Sequence, residues 1–126
     1  MLVVDASAVT ELLLNTPTGR RVAELVGETR ITAPQLLSVE VASILQGWVQ
    51  LRGLPAARAR DALVDLEELR IEWADLPPLL LAAWDLRNEI SCMDAVYVAL
   101  ARQRSCPLIT CNPQLARAAP DVAITP

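Results

Sequence analysis

The chain has 126 residues, which is enough to bury a core and suits one domain, and 53% of them are hydrophobic. Histidine is absent and all 11 basic residues are arginine, so the composition excludes Ser-His-Asp and Cys-His catalysis, histidine-ligated zinc, lysine Schiff bases and a P-loop lysine. The formal net charge of -4 argues against a broad basic groove for nucleic acid, which leaves chemistry by carboxylates.

The predicted elements alternate between strand and helix along the chain. The first half is predicted to contain a strand at Leu2 to Val4, a helix around Val9 to Leu13, a helix from Pro17 to Gly27, a strand at Arg30 to Ala33 and a helix from Leu36 to Arg52. The second half is predicted to contain helices at 55–69, 77–89 and 91–104, strands at 70–74, 108–110 and 122–124, and a loop at 113–120. This order indicates an α/β fold in which helices cover both faces of a central parallel sheet of about 4–5 strands, as one domain over residues 1–126.

Neither a membrane segment nor a signal peptide is recognisable, so we expect a soluble, cytoplasmic protein without a membrane partner. The three cysteines, Cys92, Cys106 and Cys111, have neither disulfide-framework nor C-x-x-C spacing. We expect them to be reduced and partly buried thiols.

Asp5 follows directly on the first predicted strand. In an open α/β sheet this position lies at the carboxyl edge, where ligands bind. An aspartate before a helix also accepts hydrogen bonds from backbone amides, so an ordinary capping role is an equal alternative.

Glu40 shares a helical face with Leu36, Leu37 and Ile44, the apolar stripe that should pack on the sheet. An ionised carboxylate in that position needs a partner, because leaving it unpaired costs several kcal/mol. The helix offers no cation before Arg52, so the partner is either a remote arginine or a metal ion.

Asp94 lies three residues after Ser91, which matches a capping box and gives this acid a purely structural alternative. Thr110 and Asn112 come at the end of the strand at 108–110, where an ordinary Asn-Pro turn is the alternative. Asp5, Asp94 and Asn112 nevertheless all fall at one predicted edge of the sheet. Oxygen ligands without His or Cys suit Mg²⁺, with Mn²⁺ as a substitute.

Three stretches of the sequence resemble the PIN-domain family, and in particular its VapC-like toxins. They are Val3-Val4-Asp5-Ala6-Ser7-Ala8, the segment from Ala33 to Val41, and the segment from Ile90 to Ala101 with Pro107 to Asn112 after it. The resemblance extends over essentially the whole chain.

This resemblance implies a PIN-like three-layer fold and a metal-dependent ribonuclease toxin of a type II toxin–antitoxin pair. It implies catalytic residues Asp5, Glu40, Asp94 and Asn112, of which the three acids would bind Mg²⁺, and supporting polar residues Ser7 and Thr110. It also implies a homodimer, an RNA substrate and a cognate VapB-like antitoxin. The family commonly has a fourth acid where this chain has Asn112, which bears on a second metal ion and on full activity.

Two alternatives share this pattern of residues. The same carboxylates would support a metal nuclease acting on DNA or flap structures. A binding or regulatory module with weak activity is the other, because Asn112 replaces a usual acid. Exposed apolar side chains on the helical hairpin, including Trp48, would suit a dimer or antitoxin surface, although core packing explains Trp48 equally well.

Overall fold

The computed structural model describes residues 1–126 and contains one five-stranded sheet in which every pairing is parallel. Its strands are β1 (Leu2–Val4), β2 (Ile31–Pro34), β3 (Ile71–Ala74), β4 (Leu108–Ile109) and β5 (Ala123–Ile124). They lie in the order β3-β2-β1-β4-β5, so the first strand of the chain is the central strand of the sheet. The predicted parallel sheet is confirmed.

Helices cover this sheet in two groups. The helices are α1 (Ala6–Leu13), α2 (Pro17–Val26), α3 (Leu36–Leu51), α4 (Ala56–Glu68), α5 (Leu80–Asp85), α6 (Cys92–Arg104) and α7 (Pro113–Ala118), and a 3-10 turn at Pro77–Leu79 precedes α5. Helix α1 contacts α2, α3 and α4, whereas α6 contacts α5 and lies against β1, β2 and β4. The three-layer α/β prediction is therefore confirmed.

The inner strands of the sheet are buried, as expected for a parallel sheet that is covered by helices. Every residue of β1 and β2 is buried, as is β4, which is typical of strands covered by helices on both faces. Val3 is paired with Thr32 of β2 on one side and with Leu108 of β4 on the other. This register brings the carboxyl ends of β1, β2 and β4 to the same edge of the sheet.

Two predicted boundaries were wrong. The helix expected at 77–89 ends at Asp85, because the next amides form tighter i→i−3 bonds and the Arg87 guanidinium donates to the Trp84 carbonyl at 3.1 Å. The loop expected at 113–120 contains α7, because Pro113 takes the first helical position and the Asn112 side chain accepts from the Gln114 amide at 3.0 Å. Asn112 thus begins a helix where a simple turn was the alternative.

Gly19 lets α2 approach the end of α1. A Cβ at this position would lie 1.9 Å from the carbonyl oxygen of Glu11, which is backbone and has no freedom to move aside. The glycine is therefore required by the close approach of two helices, which in turn fixes α1 and the residues at its start.

The remaining expectations about side chains concern the cysteines and Trp48. All three cysteines are free thiols, with Cys92 exposed and the other two half-buried. Trp48 is half-buried on α3, and the guanidinium of Arg52 lies 4.7 Å from the centroid of its ring. None of the helices combines the length and apolar character that crossing a membrane would require.

Candidate active site

Asp5 sits between the central strand and α1, where it caps the helix. It leaves β1 in an extended conformation and its Oδ1 accepts from the Ala8 amide at 3.0 Å and from the Ser7 hydroxyl at 2.6 Å. Its Oδ2 accepts from the Thr110 hydroxyl, which follows β4. Only 5% of Asp5 is exposed. The bond from the Ala8 amide to Oδ1 confirms the capping role, but capping does not account for the bond that Oδ2 accepts from Thr110, which follows a distant strand.

The polar network around Asp5 joins the ends of β1 and β4. The Ser7 hydroxyl also accepts from the Cys111 amide at 3.0 Å, and the Thr110 hydroxyl accepts from the Asn112 amide at 3.0 Å. Each hydroxyl thus links Asp5 to the segment after β4. Ser7 and Thr110, the two predicted polar neighbours, are placed where they orient this carboxylate.

Glu40 is half-buried on α3 and has a partner that the sequence reasoning missed. The hydroxyl of Tyr97, on α6, donates to Glu40 Oε1 at 2.6 Å. The remote arginine considered as the alternative is absent, since the protein contains two ion pairs, Arg102–Asp121 and Arg104–Glu72, and neither includes Glu40. The available signal was that Tyr97 is the only tyrosine of the chain and lies three residues after Asp94.

Asp94 lies in the first turn of α6 and is partly exposed. The Ser91 hydroxyl accepts from the Asp94 amide at 3.2 Å, which is one of the two bonds of the predicted capping box; the reciprocal bond from the Ser91 amide to the Asp94 carboxylate is not formed. The Asp94 carboxylate itself accepts no side-chain hydrogen bond from the protein and lines a cavity of about 230 Å³ together with Ser91 and Asn112. Its backbone is therefore fixed while its charge stays available.

The three acids are close enough to affect one another. Burial raises the pKa of Asp5 above its ordinary value, and the charge of Asp94 adds to the rise. Burial likewise raises the pKa of Glu40, with further contributions from Asp94 and Asp5. Tyr97 lies in the same field, and burial together with its bond to Glu40 raises its pKa, so the phenol keeps its proton.

These carboxylates fit a hard divalent cation better than they fit a structural role. They repel one another, and no arginine is paired with any of them. No group of three acidic or cysteine side chains is arranged so that all three could hold one metal ion. Mg²⁺ does not need such a group, because it retains several waters and takes only one or two protein carboxylates.

The sequence-predicted residues therefore converge at one edge of the sheet. Asp5, Glu40 and Asp94 interact electrostatically, Ser7 and Thr110 bind Asp5, and Asn112 borders the cavity beside Asp94. The side-chain oxygen of Asn112 is occupied by capping α7. A larger cavity of about 780 Å³ lies at the opposite edge, beside Arg30 and Arg70, and includes none of these residues.

Comparison with known proteins agrees with this geometry. The model of the PIN domain family matches residues 2–120. A VapC ribonuclease of Mycobacterium bovis, Mb0985, is 36% identical over 115 residues, which cover 91% of this chain and 88% of the relative.

Two solved structures share the fold. PAE2754 from Pyrobaculum aerophilum superposes with a TM-score of 0.75 at 19% identity, covering 97% of this chain and 81% of that one. VapBC2 from Rickettsia felis, solved bound to a DNA fragment from its promoter, gives a TM-score of 0.66 at 14% identity and covers 99% of this chain and 98% of that one. From the match over residues 2–120 and the 36% identity to a VapC relative, the chain belongs to the PIN-domain family and to its VapC-like members.

Proposed function

We propose that this protein is the ribonuclease toxin of a type II toxin–antitoxin pair, and that it hydrolyses RNA phosphodiester bonds with Mg²⁺ or Mn²⁺. The observation that carries the proposal is the group of three mutually repelling carboxylates, unpaired with any cation, at the carboxyl edge of a PIN-domain sheet. The name of the Mycobacterium bovis relative supports ribonuclease activity. On this proposal residues 1–126 act as one PIN domain.

The cation would be held by Asp5, Glu40 and Asp94. A divalent ion held there would supply positive charge opposite the scissile phosphate and would lower the pKa of a water molecule enough for hydroxide, the attacking nucleophile, to form near neutral pH. Asp5 is oriented for this task by two hydroxyls and an amide. Asp94, without a hydrogen-bond partner on its carboxylate, is the acid most open to solvent-borne ligands.

The local charge explains how a protein of net charge -4 would bind RNA. Carboxylates alone repel phosphates, and a divalent cation would offset most of the local negative charge and present positive charge to the phosphate. The protein therefore needs metal for substrate binding as well as for the chemical step, which makes a chelator a strict control.

The partners follow from the relatives. A VapB-like antitoxin is proposed because the Rickettsia felis structure contains VapBC2. A homodimer is proposed from the family resemblance, and the protein's exposed apolar residues, among them Leu81 and Trp84 on α5, are available for such contacts.

The test is cleavage of a mixed pool of cellular RNAs by purified protein with Mg²⁺, with Mn²⁺ and with chelator. Discrete products that require metal are expected. Asp94→Ala should abolish them without unfolding the protein, because the Asp94 side chain is partly exposed and its carboxylate forms no hydrogen bond or ion pair within the protein. Cleavage that survives in the folded variant, or in chelator, would refute the assignment.

A DNA or flap nuclease would use the same acids. Matched RNA and DNA hairpins of one sequence distinguish the two, and we expect cleavage of the RNA hairpin alone. Comparable cleavage rates on the two hairpins would show instead that the protein is a metal nuclease without preference for RNA.

A weakly active regulatory module is the second candidate, and Asn112 favours it. This residue is neutral, and its side-chain oxygen is already used to cap α7, so it adds no charge to the cation site. Asn112→Asp keeps a capping oxygen and adds a carboxylate. Cleavage that appears only in this variant would establish that the natural chain binds rather than cuts.

A further inference from the structure

Tyr97 is the one buried, chemically functional side chain at the site that the proposed reaction leaves unused. It is 1% exposed and lies on α6, three residues beyond Asp94, so both side chains face the same side of the helix. Its hydroxyl donates to Glu40 Oε1 at 2.6 Å and joins α6 to α3 across 57 residues of sequence. The bond connects the helix that carries one acid to the helix that carries another.

The chemistry of this partner is suited to holding a carboxylate without neutralising it. An arginine or lysine beside Glu40 would cancel the charge that attracts a cation. A neutral phenol that donates one hydrogen bond fixes the carboxylate and leaves its charge in place. Glu40 Oε2 accepts no hydrogen bond from the protein and remains free.

We propose that Tyr97 is a positioning residue for the cation site, whose hydroxyl holds Glu40 so that Oε2 is presented to the metal ion. The inference deepens the proposed function and rests on it for the cleavage measurements, but its metal-binding measurements stand apart from RNA cleavage. Groups that orient metal-binding side chains in this way typically change metal affinity or activity by about 10- to 100-fold when removed.

The direct test is Tyr97→Phe, which keeps the buried ring and removes only the hydroxyl. The Kd values for Mn²⁺ and Mg²⁺, obtained from the dependence of Tm on metal concentration, are expected to rise about tenfold. In the cleavage assay at the wild-type half-saturating metal concentration, kcat/KM should fall about fivefold, because a site that binds the ion about tenfold more weakly would be about one-eleventh occupied where the wild-type site is half occupied.

The matched control is Thr32→Val, in a buried position of β2. It also removes a hydroxyl that bonds a distant segment, since Thr32 Oγ1 donates to the Glu72 carbonyl at 2.8 Å. That bond joins β2 to β3 and includes none of the three acids. Thr32→Val should lower stability without changing the metal concentration required. An equal loss of metal affinity in both variants would overturn the proposal in favour of a general structural effect.

A double-mutant cycle shows whether Tyr97 acts through Glu40. In a Glu40→Gln background, adding Tyr97→Phe should alter metal affinity by less than about twofold. The same tenfold loss in both backgrounds would overturn the proposal. If wild type binds metal but cleaves no RNA, the proposed function fails, and the cycle still decides the role of Tyr97.

Spectroscopy provides a readout that does not depend on whether Tyr97→Phe folds. Tyr97 is the only tyrosine, so the tyrosine doublet in the Raman spectrum reports its hydroxyl alone. A strong-donor signature is expected in wild type with and without Mn²⁺, and its loss in Glu40→Ala. Loss of the signature when Mn²⁺ binds wild type would overturn the proposal, because Tyr97 would then release Glu40 as the ion arrives.

Discussion

Replacing Asp5 by asparagine should make the metal-free protein more stable and remove its response to metal. Asp5 is 5% exposed, no cation is paired with it, and burial and the charge of Asp94 raise its pKa above the ordinary value. The charged form is therefore disfavoured in the folded protein at neutral pH. An asparagine of the same shape has no charge to desolvate.

The magnitude follows from the three hydrogen bonds of Asp5. Asparagine Oδ1 can still accept from Ser7 and Ala8, whereas its Nδ2 must donate to Thr110, whose own hydroxyl hydrogen then loses its acceptor. That loss costs about 1 kcal/mol. Relieving the buried charge outweighs it, and we expect a net gain of about 1 kcal/mol, or about 3 to 5 °C in Tm.

The assay is thermal or urea unfolding of both proteins in chelator and across a metal titration. Wild type should gain about 1.4 kcal/mol at a free Mg²⁺ concentration ten times its Kd, and Asp5→Asn should gain nothing. The more stable protein in chelator is thus the variant that cannot respond to the ion, which is the expected compromise between stability and function.

The pH dependence of the difference follows from the direction of the shift. The folded-state pKa of Asp5 lies above the unfolded value of about 3.9. The free-energy cost of burying the charged Asp5 carboxylate, here called the penalty, is therefore absent below the unfolded pKa. It grows as pH rises towards the folded pKa and is complete above it. The advantage of Asp5→Asn should therefore vanish below about pH 4 and grow as pH rises, until it levels off above the folded-state pKa. A variant less stable than wild type in chelator, or an advantage that persists at pH 4, would refute this reasoning.

Three further substitutions test the scaffold around the site. Gly19→Ala should lose at least about 2 kcal/mol in urea unfolding, because its Cβ collides with the Glu11 carbonyl; a loss under 0.5 kcal/mol would show that α2 moves freely on α1. Asn112→Ala should cost about 1 kcal/mol through the lost cap of α7, and an unchanged Tm would contradict that role. Thr110→Val should lower stability at neutral pH by about 1.5 to 3 kcal/mol and by less near pH 4, where Asp5 is protonated; a loss independent of pH would mean that packing dominates.

The parallel sheet, and the edge of the sheet at which the acids lie, could be predicted from the sequence. Buried β-branched strands followed by Asp5 and Thr110 carry a local signal, because the ends of parallel strands must meet at one edge. The Asn-Pro pair was ambiguous between a turn and a helix start, and in the structure the Asn112 cap and the burial of Leu115 together favour the helix.

The partner of Glu40 could not be predicted from local pattern. Periodicity places Glu40 and Tyr97 on the inner faces of their helices, but it does not specify which two helices approach each other. The contact brings together residues 57 positions apart on α3 and α6, and such proximity is a long-range property of the fold. It was therefore predictable that Glu40 has a partner, but not which residue that partner is.

Because β1 pairs with β4, the site next to β1 cannot form until a late part of the chain has been synthesised. The carboxylate of Asp5 and the hydroxyl of Thr110 are 105 residues apart, and both are needed at one edge. At about 5 to 20 residues per second, on the order of 5 to 20 s of translation separate them. On the proposed function, the nascent chain would consequently lack a complete site until β4 has emerged and inserted beside β1.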